Sequence, residues 1–303
     1  MKKTVIYSHP DCLQHEPGYG HPESPKRLLA IMESIAHFEE APLGTEQQVL
    51  LAHSPELLTH IKAAAPNEGL VQIDADTLMS PGSLQAAFRS TGAACKAIDE
   101  LIAGHIQHAF CATRPPGHHA TRNQAMGFCL FNHVAIAALY ARQHYGIERI
   151  AIVDFDVHHG NGTQDIVQGE KGLFYISTHQ SPFYPGTGSE AENIPDNILN
   201  IPLTAGTGHS LYQQLFTEVV IPALENFKPQ LLLVSAGFDA HYEDPLASLN
   251  FSELSYQWLG EQLSAIANTF CQSKILSVLE GGYNLDALSK SVKAYLEGIN
   301  TNL

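Results

Sequence analysis

The sequence predicts an α/β fold: a single domain, residues 1–303, built on a mainly parallel sheet sandwiched by helices. Three observations predict it. Short runs rich in Val, Ile and Leu alternate with segments whose apolar residues recur every three or four positions, the pattern of strands joined by crossover helices. Leu231 to Ser235 is an unbroken apolar run that suits a strand covered on both faces. Motifs rich in His, Asp or Gly begin where such runs stop, and the carboxyl ends of parallel strands share the edge where open α/β sheets place ligands.

Taken in order, Val5 to Tyr7 reads as a first strand, followed by a loop rich in Pro, Gly and His through His21. Pro25, tolerated in a first turn, opens a helix with Leu28, Ile31, Met32 and Ile35 at helical spacing. Val49 to Leu51 reads as a strand. Ser54 and Pro55 supply an N-cap and a first helical position, with Leu57, Leu58 and Ile61 as the buried face. Pro66 to Asp76 is irregular and acidic. Ser83 is placed as the cap of a long helix whose Leu84, Phe88, Thr91, Cys95, Ile98 and Ile102 form one stripe.

Ala109 to Ala112 is a short strand ending in RPPGHHA, Arg114 to Ala120, where proline and glycine fix a loop. A helix from Leu130 to Tyr145 is stopped by Gly146. Ile150 to Val153 is a buried-strand pattern that breaks into Asp154, Asp156, His158 and His159. Leu173 to Thr178 and Ile198 to Leu203 read as strands, and Leu211 to Phe227 as a helix kinked or broken near Pro222. Leu231 to Ser235 ends in AGFDAH, Ala236 to His241. Ser252 caps a helix to Phe270, with Glu253 in its first turn. Ile275 to Leu279 ends in EGGYN, Glu280 to Asn284, and a closing helix runs from Asp286 to Glu297.

The chain is 44% apolar and 16% charged, ordinary values for a globular protein. Sixteen Lys and Arg against 31 Asp and Glu give a formal net charge of −15, and without a local basic patch nonspecific nucleic-acid binding is excluded. No apolar stretch approaches a membrane span, and the opening MKKTVIYSHPDCLQ has too brief an apolar run for a signal peptide. Cys12, Cys95, Cys111, Cys129 and Cys271 are odd in number and free of any C-x-x-C pair, which argues against a disulfide framework and a thiolate zinc site. The expectation is a cytoplasmic protein with no nucleic-acid or membrane partner. An oligomer is compatible with the sequence. Because 17 histidines outnumber Lys plus Arg, any single His is weak evidence.

Chemistry concentrates in RIAIVDFDVHHGNGT, Arg149 to Thr163. Alternation in an extended chain would send Asp154, Asp156 and His158 to one side, so three ligands are expected to converge. Asp and His suit zinc, which keeps a position for water when catalytic. Asp239 in AGFDAH is the natural further ligand, ahead of His241. Such a site polarises a carbonyl and lowers the pKa of a bound water. His118 and His119 supply the proton acceptor, one imidazole taking the proton while its neighbour tunes it. Tyr283, after Gly281 and Gly282, puts a phenol where it can donate to a developing oxyanion. Phe128, Phe183 and Tyr184, beside Gly and Pro, are placed as the walls of a narrow apolar channel. Neither a glycine-rich phosphate loop nor a G-x-S-x-G elbow is present.

From HPESPKRL at His21 to Leu28 through EGGYN, these motifs in this order resemble the histone deacetylase superfamily, specifically its class II-like branch with bacterial amidohydrolases and acetylpolyamine deacetylases. The resemblance spans nearly the whole chain and implies an arginase/deacetylase-like fold. It implies Asp156, His158 and Asp239 as ligands of one metal ion per chain, zinc or ferrous iron, with His119 as general base, His118 as its electrostatic partner and Tyr283 as oxyanion donor. Asp154 matches the acid that supports the first histidine. With Ser177, Thr178 and the backbone at Asp156 and His158, it also matches the site of a structural potassium ion. Asn161 stands where class I enzymes use an aspartate. Gly127 resembles the residue whose carbonyl holds the substrate amide N–H, and Phe128 and Tyr184 the tunnel pair that grips an acyl-lysine stem, with Tyr where many relatives have Phe.

Leu246 falls where a polyamine-specific relative carries a glutamate, and Pro66 to Ser83 is short for the channel-narrowing insertion of acetylpolyamine enzymes. Both favour an acetylated lysine peptide or protein, or a small neutral acetylated amine. The implied function is zinc-dependent amide hydrolysis of N-acetylated amines. Its alternatives are an acetylpolyamine or other small-amide amidohydrolase, a non-catalytic acetyl-lysine-binding protein, and a binuclear manganese hydrolase of arginase-like fold.

Overall fold

Alternation along the strands divides the core in two before any helix is placed. The structure, a computed structural model, describes residues 2–35 and 37–301; the outer limits of the expected 1–303 domain lie outside the described residues. The strands are β1 (Lys2–Ser8), β2 (Glu39–Glu40), β3 (Val71–Gln72), β4 (Leu78–Met79), β5 (Ile106–Cys111), β6 (Ile150–Asp154), β7 (Leu173–Gln180), β8 (Ile198–Leu203), β9 (Leu231–Ala236) and β10 (Ile275–Leu279). The helices are α1 (Pro25–Ser34), α2 (Glu46–Val49), α3 (Pro55–Ala64), α4 (Ser83–Ile102), α5 (His133–Tyr145), α6 (Asn161–Val167), α7 (His209–Leu215), α8 (Ile221–Phe227), α9 (Glu253–Phe270) and α10 (Leu285–Thr301).

Eight strands form one sheet in the order β2-β1-β5-β10-β9-β6-β7-β8, and all the pairings are parallel. Ile150, Ile152, Leu231 and Leu233 face a core completed by α3, α4, α5 and α6. Ala151, Val153, Leu232 and Val234, one residue out of phase, face a second core under α1 and α7 to α10. Sandwiching buries β6, β9 and β10 throughout, which is why they read as nearly continuous apolar runs. Each fully buried Leu or Val contributes about 1.5–3 kcal/mol.

The expected elements recur with local differences. Ser54 Oγ accepts from Leu57 N at 3.2 Å beside Pro55, as expected of a cap. Val49 to Leu51 is not a strand: Thr45 and Gln48 close a capping box and wind Val49 into α2. The cap of α5 is Asn132, whose Oδ1 accepts from Ala135 N at 3.0 Å, and Gly146 closes the helix at φ 65°. Ser83 is the first residue of α4 rather than its cap, and its Oγ serves Ser80 N and His15 Nδ1. The break expected near Pro222 is a π-helical turn, Phe216–Val220, just before that proline; the helix runs on through it, the widened turn making room for the proline ring. The stretch expected to be irregular contains β3, paired antiparallel with β4. No helix among the described residues is long and apolar enough to cross a membrane.

One topological fact positions the site. From β5 the chain crosses to β6, leaving room for two strands that β9 and β10 later fill. The four loops beginning RPPGHHA, DFDVHH, AGFDAH and EGGYN therefore leave four adjacent central strands at one edge.

Candidate active site

Asp154 is the last residue of β6, in register with Ser177 and Ser235; beyond it the chain leaves the extended form. Strand alternation therefore stops short of His158, and the expected convergence of Asp154 with Asp156 and His158 does not occur. Asp154 Oδ2 instead accepts from His118 Nδ1 at 3.0 Å and from Tyr175 OH at 2.9 Å, and Oδ1 accepts from Asp156 N at 3.1 Å. Asp239 completes the cluster: one ligand atom each from Asp156, His158 and Asp239 lie within 4.8 Å of one another. His158 Nδ1 is 3.1 Å from Asp156 Oδ1 and 3.2 Å from Asp239 Oδ2. The competing His241 is elsewhere, with Nδ1 accepting from Glu243 N and Nε2 3.6 Å from Glu253.

Backbone amides orient both carboxylates: Gly281 N donates to Asp156 Oδ2 at 2.8 Å and Val157 N to Asp239 Oδ1 at 2.9 Å. A Cβ on Gly237 would fall on the Asp156 carboxylate, and one on Gly281 on those of Asp239 and Asp156, so glycine keeps the cradle open. Burial and the neighbouring Asp156 charge push the Asp239 carboxyl up, a penalty that a divalent cation between them relieves. Two carboxylates and one imidazole form a donor set that fits a zinc-type ion.

The tandem histidines lie beside this cradle, ring centroids 4.1 Å apart. Burial disfavours a charge on His118, but Asp154, Asp156 and Glu280 outweigh it and hold its pKa well above the usual value. His119 donates Nδ1–H to Asn161 Oδ1 at 2.8 Å, which leaves Nε2 as its basic atom. Burial, with the charge on His118 beside it, holds its pKa well below the usual value. Glu280, not singled out from the sequence, splints the loop: its Oε2 accepts from Gly117 N at 2.7 Å and His118 N at 3.1 Å, and its Oε1 from Ser235 Oγ at 3.0 Å.

Tyr283 is fixed by its N–H to Asp244 Oδ2 at 2.7 Å and by the Arg27 guanidinium, 5.0 Å above its ring. Burial and the Asp239 and Asp156 charges overcome Arg27 and hold the phenol well above its usual pKa, so it stays a donor. Nothing local in the sequence marks Arg27 for this role, because its backbone partners lie more than 250 residues away. Fully buried, it donates to Gly282 O at 2.6 Å, Glu23 Oε1 at 3.1 Å and Glu280 O. Glu23 in turn receives Arg114 through two nitrogens.

A narrow cavity of about 110 Å³ is lined by His118, His119, Gly127, Phe128, His158, Tyr184, Leu246 and Tyr283, with Asp76 among the remaining wall residues. Tyr184, 38% exposed, stands at the mouth with its ring edge-on to His119 at 5.2 Å. Phe183, expected as a wall, instead stacks on His158 at 5.2 Å and 18° and is not part of the lining. The Gly127 carbonyl accepts from Cys129 Sγ at 3.2 Å. Ser177 Oγ lies 2.9 Å from His179 Nδ1, and Thr178 Oγ1 lies 3.0 Å from Tyr212 OH. A larger open groove, about 1040 Å³, includes Arg149 and Gly172 just before β6 and β7, at the opposite strand ends from these groups.

A family model described as the histone deacetylase domain matches residues 21–299. An uncharacterized protein of Synechocystis sp. is 42% identical over 301 residues, 95% of this chain and 96% of that one. A protein of Pseudomonas aeruginosa named histone deacetylase-like amidohydrolase is 37% identical over 278 residues, 88% of this chain and 73% of that one. The crystal structure of the HDA15 HD domain matches with a TM-score of 0.91 at 34% identity, covering 97% of this chain and 88% of that one.

Proposed function

Because the chain belongs to the histone deacetylase family, hydrolases of acetylated amides that are generally zinc-dependent, we propose that its substrate is acetyl-lysine in a peptide or protein and that Asp156, His158 and Asp239 hold one zinc ion. The observation that carries the reading is a three-ligand cradle whose His158 lines one narrow cavity together with His119 and Tyr283, the imidazole's pKa held low and the phenol's held high.

Zinc bound there supplies a Lewis acid that polarises the amide carbonyl and acidifies a water. His119 accepts the water's proton at Nε2, because Nδ1 is committed to Asn161, as the water oxygen bonds to the carbonyl carbon. His118, paired with Asp154, keeps a positive charge beside it. Tyr283 donates its O–H to the carbonyl oxygen as negative charge develops there. The proton on His119 then passes to the departing nitrogen as the C–N bond breaks, leaving acetate and a free amine. Phe128 and Tyr184 flank the lysine stem, and the Gly127 carbonyl faces the amide N–H. Asp154, Ser177 and Thr178, with the backbone at Asp156 and His158, are assigned to a structural potassium ion.

One feature favours a lysine stem over an acetylated polyamine: Leu246 puts an apolar side chain in the channel lining. Zinc-loaded protein assayed on both substrate classes should prefer the peptides; a preference of more than roughly tenfold in kcat/KM for polyamines reverses the order. His119→Ala should abolish turnover, and unchanged turnover would refute the mechanism.

A further inference from the structure

Phe128 stands in a conformation its side chain disfavours. Met126 and Cys129 pair back to back across Gly127 and Phe128, whose φ angles are 58° and 67°. Positive φ at both central residues is the signature of a type I′ turn, which selects Asn, Asp and Gly. Glycine meets that demand freely, whereas an L-residue with a bulky ring does not. The turn's own two backbone hydrogen bonds close the loop without specifying that a phenylalanine should occupy its second corner.

The missing hold comes from the segment between β3 and β4. Phe128 N–H donates to Thr77 Oγ1 at 3.0 Å, Thr77 O–H donates to Asp76 Oδ1 at 2.9 Å, and the same oxygen accepts from Gly127 N–H at 3.1 Å. One threonine hydroxyl thus relays between both corners of the strained turn. Thr77 is held in its own turn, its carbonyl accepting from Ile73 N at 2.8 Å. It is 1% exposed and not part of the channel lining, so its hydroxyl is turned to the turn and not to the channel.

We propose that Thr77 is a positioning residue for substrate selection: through its hydroxyl it fixes the Phe128 wall, and so the width of the channel, without touching the substrate. The kinetic part rests on the acetyl-lysine reading above; the structural part does not. Thr77→Val keeps the shape and removes the relay, whereas Thr77→Ser keeps the relay. Amide hydrogen exchange at Phe128 should accelerate about tenfold or more in Thr77→Val and stay at the wild-type rate in Thr77→Ser. On acetyl-lysine peptides, Thr77→Val should raise KM about tenfold with kcat within about twofold, and Thr77→Ser should restore the wild-type KM.

Unchanged exchange at Phe128 in Thr77→Val overturns the proposal, as does a loss confined to kcat. If Thr77→Val does not accumulate as folded protein, Thr77→Ala is measured in the same way and judged by the same two outcomes. Should the wild type turn over no acetyl-lysine peptide, the substrate reading fails by itself, while the exchange rates still decide the role of Thr77.

Discussion

His53 offers a test of the scaffold behind the tandem histidines that needs no substrate. Its Nδ1–H donates to Thr121 O at 2.8 Å and its Nε2 accepts from Asn132 N at 2.8 Å, so the ring is useful only in its neutral form. Burial, helped by the charge on Arg122, lowers its pKa from 6.5 to about 4. Below pH 6.5 the unfolded chain binds a proton that the folded chain refuses, so stability is fully present above the unfolded value and is lost as pH falls toward 4. Relative to pH 7.5, the loss from this group is about 1.4 kcal/mol at pH 5.5 and about 2 kcal/mol at pH 5, approaching about 3 kcal/mol below both pKa values. Urea unfolding of wild type and His53→Gln across that range isolates the term, because other titrations cancel in the difference. The variant should be less stable at pH 7.5, and the gap should narrow by those amounts on acidification. A gap that stays constant from pH 7.5 to pH 5 would refute the placement of His53 as a buried neutral clamp.

Three further outcomes follow from the site. Tyr283→Phe removes the oxyanion donor, and kcat on an acetyl-lysine peptide should fall by roughly 10²–10³ with little change in thermal midpoint. Gly281→Ala drives a Cβ into the Asp239 and Asp156 carboxylates, so metal analysis of the purified variant should find far less zinc than in wild type; an equal content would contradict the cradle. Glu280→Ala strands two backbone N–H groups and the Ser235 hydroxyl in a buried site, at about 1–3 kcal/mol per unsatisfied group, so its urea midpoint should drop sharply and its activity with it. An unchanged midpoint would show that the Gly117–His118 loop does not depend on Glu280.

The architecture was legible because burial on both faces writes itself into apolar runs such as Leu231 to Ser235, and because the polar motifs sit where those runs end. Local rules failed where they were carried past their range. Period-two alternation was extended beyond Asp154, although pairing with Ser177 and Ser235 stops there. The apolar run Val49 to Leu51 has a strand's pattern, but the Thr45–Gln48 capping box just before it starts a helix. Phe183 and Tyr184 are adjacent, so one turns to His158 while the other reaches the channel, and composition does not say which. Glu280, Arg27 and Thr77 were missed for a different reason. Their partners lie 163, 255 and 51 residues away in Gly117, Gly282 and Phe128, and no local spacing records such pairs. A glutamate directly after a mostly apolar strand is the available hint for Glu280, since such a carboxylate is carried toward the interior and needs donors.

The late arrival of β9 and β10 between β5 and β6 governs how the chain is born. A growing polypeptide ending before Leu231 has both neighbours of that gap exposed as unpaired edges, and neither Asp239 nor Tyr283 has yet been synthesised. The last quarter of the chain is thus the keystone: it seals the sheet and delivers Asp239 and Tyr283 together. Under the proposed zinc assignment, a fragment ending before Leu231 offers only Asp156 and His158, and the three-ligand cradle forms once Asp239 is added.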